Sequence, residues 1–124
     1  MKIIIIGAGY VGLPLAISFS KYGKVVCYDL SKNRIDELNK GLDINSQHTK
    51  KQILNKNILY TCNPETLKNN SNFIITVPTP IKTNKQPDLK RLIEASKLVG
   101  KSLKKKSTII FESTTYPGCT EDIC

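Results

Sequence analysis

Apolar and polar positions along the chain follow two different periods, and together they predict alternating strands and helices. Residues 3–6 are four consecutive isoleucines ending at Gly7. A continuous β-branched run of that length suits a strand buried on both faces, as in a parallel sheet. Residues 10–21 carry Val11, Leu15, Ile17 and Phe19 and are followed by Gly23, which reads as a helix closed by glycine. A second apolar run, 25–28, ends at Asp29. Ser31 can then cap a helix that contains Ile35 and Leu38 and stops near Gly41.

Residues 42–57 are polar and weakly periodic, with room for a short helix around 51–54. Residues 58–61 predict a small third strand. Asn63-Pro64-Glu65 has the signature of a helix start: a capping Asn, Pro at the first position and an acid in the first turn. Residues 73–77 form a fourth strand stopped by Pro78, and 79–86 a loop. Pro87-Asp88 opens a helix through about residue 103, with Leu89, Leu92, Ile93, Val99 and Leu103 at mostly helical spacing. Residues 108–111 are a fifth strand, followed by Glu112-Ser113 and a turn-rich stretch. Strands alternating with helices predict an α/β fold with a parallel sheet and helices on both faces.

Length and composition narrow the class. The 124 residues fit one domain, and 40% hydrophobic content is enough to bury a core. Four cysteines, at 27, 62, 119 and 124, contain no Cys-x-x-Cys pair and stand beside a single His. That is a poor metal set and no disulfide framework, so no metal is expected and a reducing cytoplasm is. The net charge of +9 comes from dispersed lysines with one cluster at 104–106. It lacks the interleaved aromatics of nucleic-acid-binding motifs and reads as a solvated surface with some attraction for phosphate-bearing ligands. The apolar N-terminal stretch is broken by Gly7, Gly9, Gly12 and Pro14 and is too short to span a bilayer. Neither nucleic acid nor a membrane is an expected partner.

Chemistry concentrates at the strand ends. Gly7-Ala8-Gly9-Tyr10-Val11-Gly12 is a G-x-G-x-x-G turn that follows a strand and opens a helix, and Asp29 lies 22 residues after Gly7 at the end of the second strand. This is the context of a dinucleotide-binding, Rossmann-type doubly wound sheet. Gly7 permits the tight turn, Gly9 lets a pyrophosphate approach the backbone, and Gly12 lets helix and strand lie close. The helix N-terminus supplies free N–H groups and partial positive charge. Asp29 can accept from both ribose hydroxyls and would repel a 2′-phosphate, which favours NAD over NADP. Arg34 either reaches the adenosine side of the cofactor or faces solvent. With strand order 3-2-1-4-5, Val77-Pro78-Thr79-Pro80 and Glu112-Ser113-Thr114-Thr115 would flank the glycine turn. They are ordinary strand exits on one reading and a Pro-stiffened cofactor wall on the other.

In order along the chain, Gly7 to Pro14, Val77-Pro78-Thr79-Pro80, Pro87-Asp88-Leu89 and Glu112-Ser113-Thr114-Thr115-Tyr116-Pro117-Gly118 resemble the N-terminal NAD-binding domain of the UDP-glucose/GDP-mannose dehydrogenase family. The Tyr-Pro-Gly ending with Thr120-Glu121 is most similar to its UDP-N-acetylhexosamine branch. The resemblance implies NAD-dependent, four-electron oxidation of a nucleotide-sugar C6 alcohol to a carboxylate for surface polysaccharide synthesis. It implies that Gly7, Gly9, Tyr10, Val11, Gly12, Asp29, Arg34, Thr79, Ser113 and Thr120 bind NAD. Thr114 would support catalysis by orienting a water or steadying an oxyanion. Cys119 stands where Thr or Ser is usual, and residues 44–52 lack the family's usual acid; His48 reads as a surface residue. The family's catalytic Cys, Lys, Asn and Glu lie beyond these residues. Residues 1–124 are therefore expected to be an incomplete, five-stranded Rossmann domain without a substrate domain, inactive alone, with an open sheet edge that favours a homo-oligomer. The alternative is a non-catalytic NAD-binding regulatory module, which has no need of the two hydroxyl-bearing loops.

Overall fold

The computed structural model describes residues 1–114 and 117–124. Five strands form one parallel sheet in the order β3-β2-β1-β4-β5, with β1 Lys2–Ile6, β2 Lys24–Tyr28, β3 Ile58–Thr61, β4 Asn72–Ile75 and β5 Thr108–Phe111. Pairing is in simple register: Ile4 lies opposite Val26 on one side and Phe73 on the other.

The four-isoleucine run is explained by two cores. Ile3 and Ile5 point to a layer made by α1 (Gly12–Phe19), α2 (Lys32–Asn39) and α3 (Lys50–Ile53), where they meet Leu13, Ala16, Ile35, Leu38 and Ile53. Ile4 and Ile6 point the other way, to Leu67, Leu92, Ala95 and Val99; the last three lie on α4 (Lys90–Gly100). Alternate side chains of a strand face opposite sides of the sheet, so an apolar residue is needed at every position of β1. Ile4 and Ile5 are fully buried.

Two predicted helices are shorter than their patterns. After Asn63 only a single 3-10 turn forms, Pro64–Leu67. Asn63 caps it as expected, its side chain accepting from the Glu65 N–H at 3.0 Å. The Asn70 side chain then donates to the Thr66, Leu67 and Lys68 carbonyls, and Asn69 takes φ 62°, which turns the chain directly into β4. Helix α4 starts at Lys90 rather than Pro87, because Asp88 accepts from the Lys90 N–H and Pro87 pairs with Ile81 across the preceding loop.

Cys119 begins a short helix, α5 (Cys119–Asp122), and is fully buried in the core beside α4. Here the thiol behaves as a small apolar side chain. At the sheet edge, Ile109 and Phe111 of β5 pack against the α4 core, while Ile110 is 44% exposed on the other face. Among the described residues no helix is long and apolar enough to cross a membrane, and no group of three or more metal-ligating side chains comes together.

Candidate functional site

The C-terminal ends of β1, β2, β4 and β5 open into one cleft of about 990 Å³, at the upper end of the usual range for small-molecule sites, roughly 300–1,000 Å³. Its floor is the glycine turn. Gly7 has φ 109°, a conformation that disfavours any side chain, and its N–H donates to the Tyr28 carbonyl at 2.8 Å. Gly12 is required by contact: a Cβ there would sit 1.7 Å from the Gly7 carbonyl oxygen. The Thr76 hydroxyl lies 2.9 Å from that carbonyl oxygen and 3.1 Å from that of Ile6, so β4 is tied to the turn. Thr76 was not singled out by sequence. Its signal is a hydroxyl in an apolar strand just before a proline-rich exit.

Gly9 differs from the other two. Among the described residues a Cβ at Gly9 would meet no atom within 4 Å, its φ is not positive, and it lines the cleft. The packing of the described residues therefore gives no reason for glycine at this position, whereas a ligand lying on the backbone does. Tyr10 and Val11, both exposed, line the cleft beside it, and α1 begins there. The first N–H groups of a helix have no partner within it and carry partial positive charge.

Asp29 accepts from two backbone N–H groups, from Ala8 at Oδ2 and from Ser31 at Oδ1, each at 2.8 Å. Each oxygen keeps lone-pair capacity toward the cleft. Arg34 does not face solvent: its side chain is 13% exposed. Its Nε donates to the Ala8 carbonyl at 2.8 Å and its Nη1 to Asp43 at 3.1 Å, while Nη2 is buried without a partner among the described residues. Burial works against the charged form of Asp43. The hydrogen bonds from Asn45, Arg34 and Gln47, with the guanidinium charge, outweigh that and hold its carboxyl below the usual carboxylate range. His48 is partly buried, with Nε2 enclosed and unpartnered, rather than lying open on the surface.

The two strand-exit loops are tied together across the cleft. Ser113 donates its hydroxyl to the Val77 carbonyl at 2.7 Å, and Thr79 donates to the Thr114 carbonyl. Thr79, Ser113 and Thr114 all line the cleft. Thr120 sits exposed on α5 and is not among the lining residues. Thr115 and Tyr116, part of the sequence motif, lie outside the described residues. The α4 wall contributes Arg91, Glu94, Lys97 and Lys101, which sequence reasoning placed only on a helix and not at the site.

Glycine turn, helix N-terminus, acceptor at the end of β2 and a cleft over the β1–β4 crossover define a dinucleotide-binding domain of the Rossmann type. The NAD binding domain of the UDP-glucose/GDP-mannose dehydrogenase family matches residues 1–124. The chain belongs to this family and is its NAD-binding domain. It is 50% identical over its whole length to a UDP-N-acetyl-D-glucosamine 6-dehydrogenase of Salmonella typhi, covering 29% of that protein. It is 45% identical to one of Pseudomonas aeruginosa, again over its whole length and covering 30% of it. Among solved structures, a UDP-D-ManNAc dehydrogenase of Pyrococcus horikoshii superposes with a TM-score of 0.88 at 34% identity, with 99% of this chain and 31% of that one covered. The chain thus spans less than a third of the length of these relatives.

Proposed function

We propose that residues 1–124 hold NAD for a nucleotide-sugar 6-dehydrogenase that oxidises the C6 alcohol of a UDP-N-acetylhexosamine to the carboxylate. The observation that carries the cofactor part is Gly9, a glycine that the packing of the described residues does not require, at the floor of the cleft. Supporting it are the names and identities of the relatives, two of which are UDP-N-acetyl-D-glucosamine 6-dehydrogenases.

On this reading Gly7, Gly9, Tyr10, Val11 and Gly12 form the pyrophosphate turn, with the N-terminus of α1 providing the positive end of a helix dipole. Asp29 uses its remaining lone pairs to accept from ribose hydroxyls, and its charge disfavours a 2′-phosphate. Arg34 shapes the turn from the adenosine side. Thr79 and Ser113 belong to the cofactor side of the site, and Thr114 turns its hydroxyl to the reacting carbon. When bound, NAD supplies the hydride acceptor. The overall change is a four-electron oxidation, so one sugar consumes two NAD and one water. The nucleophile and the sugar-nucleotide contacts belong to a part of the protein outside residues 1–124. The product is a uronic acid sugar nucleotide of the kind used for surface polysaccharides, made in the cytoplasm by a homo-oligomer.

The test is NADH formation by the full-length protein with UDP-N-acetylglucosamine, UDP-N-acetylmannosamine and UDP-glucose. Two NADH per sugar with an N-acetylhexosamine supports the reading. NAD binding without turnover of any of the three contradicts the substrate assignment and leaves a binding module.

A further inference from the structure

We propose that Asp43 is a positioning residue for the cofactor turn, acting through Arg34 on the Ala8 peptide. This rests on the reading of the cleft as an NAD site. Asp43 itself is not among the residues lining the cleft, and its side chain is only 2% exposed. Among the described residues its one charged partner at hydrogen-bond distance is Arg34, at 3.1 Å.

The guanidinium is planar, so its nitrogens point in directions fixed relative to one another. Holding Nη1 against Asp43 therefore also aims Nε, and Nε donates to the Ala8 carbonyl at 2.8 Å. Among the described residues the only other carboxylate paired with the group is Glu37, at a looser 3.7 Å, and Nη2 has no partner. Asp43 is thus the main anchor of the guanidinium. Ala8 lies between Gly7 and Gly9, where neither neighbour has a side chain to restrict the backbone. Its N–H is held by Asp29 and its carbonyl by Arg34. Loss of Asp43 frees Arg34 to swing toward Glu37, and Ala8 then keeps the restraint on its N–H but loses the one on its carbonyl, in the peptide that leads into Gly9. Binding must then supply the lost order, which lowers affinity.

Asp43 also folds its own loop, accepting from the Asn45 N–H at 3.2 Å. A purely structural role is therefore the competing explanation, and the experiment must separate the two. NAD and ADP-ribose are titrated by calorimetry into the full-length protein and its Asp43→Ala, Asp43→Asn, Arg34→Gln and Asp43→Ala/Arg34→Gln variants. Asp43→Ala is expected to raise Kd about tenfold for both ligands, the scale of one hydrogen bond to a charged group. Asp43→Asn keeps an acceptor oxygen and is expected to lose roughly threefold. In the Arg34→Gln background, Asp43→Ala is expected to add less than about twofold, because its effect passes through Arg34.

An unchanged Kd in Asp43→Ala, or a loss that adds in full to that of Arg34→Gln, overturns the proposal. Should Asp43→Ala fail to fold, the same comparison on Asp43→Asn decides, through whether its loss persists without Arg34. Absence of NAD binding by the unmutated protein would instead contradict the cofactor reading on which the proposal rests.

Discussion

Asp29 and Arg34 hold opposite ends of one residue: the Ala8 N–H donates to Asp29 at 2.8 Å, and the Ala8 carbonyl accepts from Arg34 at 2.8 Å. The acid at the end of β2 is therefore more than a ribose acceptor. It and the arginine in the first turn of α2 set the shape of the glycine turn before any ligand arrives. Mutations at either position act on affinity through the turn as well as through direct contact.

Asp29→Asn and Asp29→Ala separate these two roles. Asparagine keeps an acceptor for the Ala8 N–H and removes the charge. It is expected to lower the preference for NAD over NADP by about tenfold while NAD affinity falls only a few-fold. Alanine also releases the Ala8 N–H and is expected to weaken both cofactors. Parallel titrations with NAD and NADP check this.

The glycines of the turn should fail in different ways. A Cβ at Gly12 would sit 1.7 Å from the Gly7 carbonyl oxygen and 2.7 Å from the Thr76 hydroxyl. Gly12→Ala is expected to cost about 3 kcal/mol, or about 10 °C in melting temperature. Gly9→Val meets no atom of the described residues at Cβ. It is expected to melt within about 3 °C of the unmutated protein and to lose NAD binding. Thermal melts with and without NAD distinguish the two.

The Asp43–Arg34 pair predicts a pH dependence. Unfolded, the Asp43 carboxyl takes up its proton near pH 3.9, the ordinary value for Asp. Folded, it does so only at lower pH, because Arg34 and backbone N–H groups hold the charged form. Its contribution to stability is therefore complete above about pH 4 and is lost as pH falls through the lower, folded value. Asp43→Asn should remove this component, so its stability relative to the unmutated protein improves as pH drops. Denaturant melts between neutral pH and pH 3 measure it.

Thiol reactivity tests the cores. Cys27 and Cys119 are buried, Cys62 and Cys124 exposed. Burial, reinforced by the charge of Asp29, pushes the Cys27 thiol up to about 12, so almost no thiolate forms at neutral pH. An aromatic disulfide reagent at pH 8 should titrate two thiols in the native chain and four in denaturant. Fast native labelling of Cys27 would contradict the two-core packing.

Much of this was legible in the residues. Ile3 to Ile6 declared a strand buried on both faces, and β3 and β5 span the residues expected of them, 58–61 and 108–111. The order β3-β2-β1-β4-β5 is the one expected from the glycine turn and the strand–helix alternation. Local patterns misjudged helix length where side chains compete for the backbone, as Asn70 does after Leu67 and Asp88 before Lys90. At the site, the types and spacing of Gly7, Gly12 and Asp29 were readable because each serves a requirement of the turn, and Gly9 because it leaves the backbone at the cleft floor uncovered. The roles of Thr76, Asp43 and the α4 wall were not. Thr76 acts through contacts with residues far along the chain, and Asp43 through a side-chain pair nine residues away; no local period encodes either kind of contact. Arg34 was readable as a candidate but not in direction: its inward turn depends on Asp43, in a loop whose polar composition carries no period.

The most direct test of the central claim is a calorimetric titration of the purified protein with NAD and, separately, with NADP at physiological salt. Saturable binding of NAD, with NADP markedly weaker, is the predicted result. A folded, monodisperse sample that takes up no NAD, or that binds NADP as tightly, would contradict the account of the cleft and of Asp29.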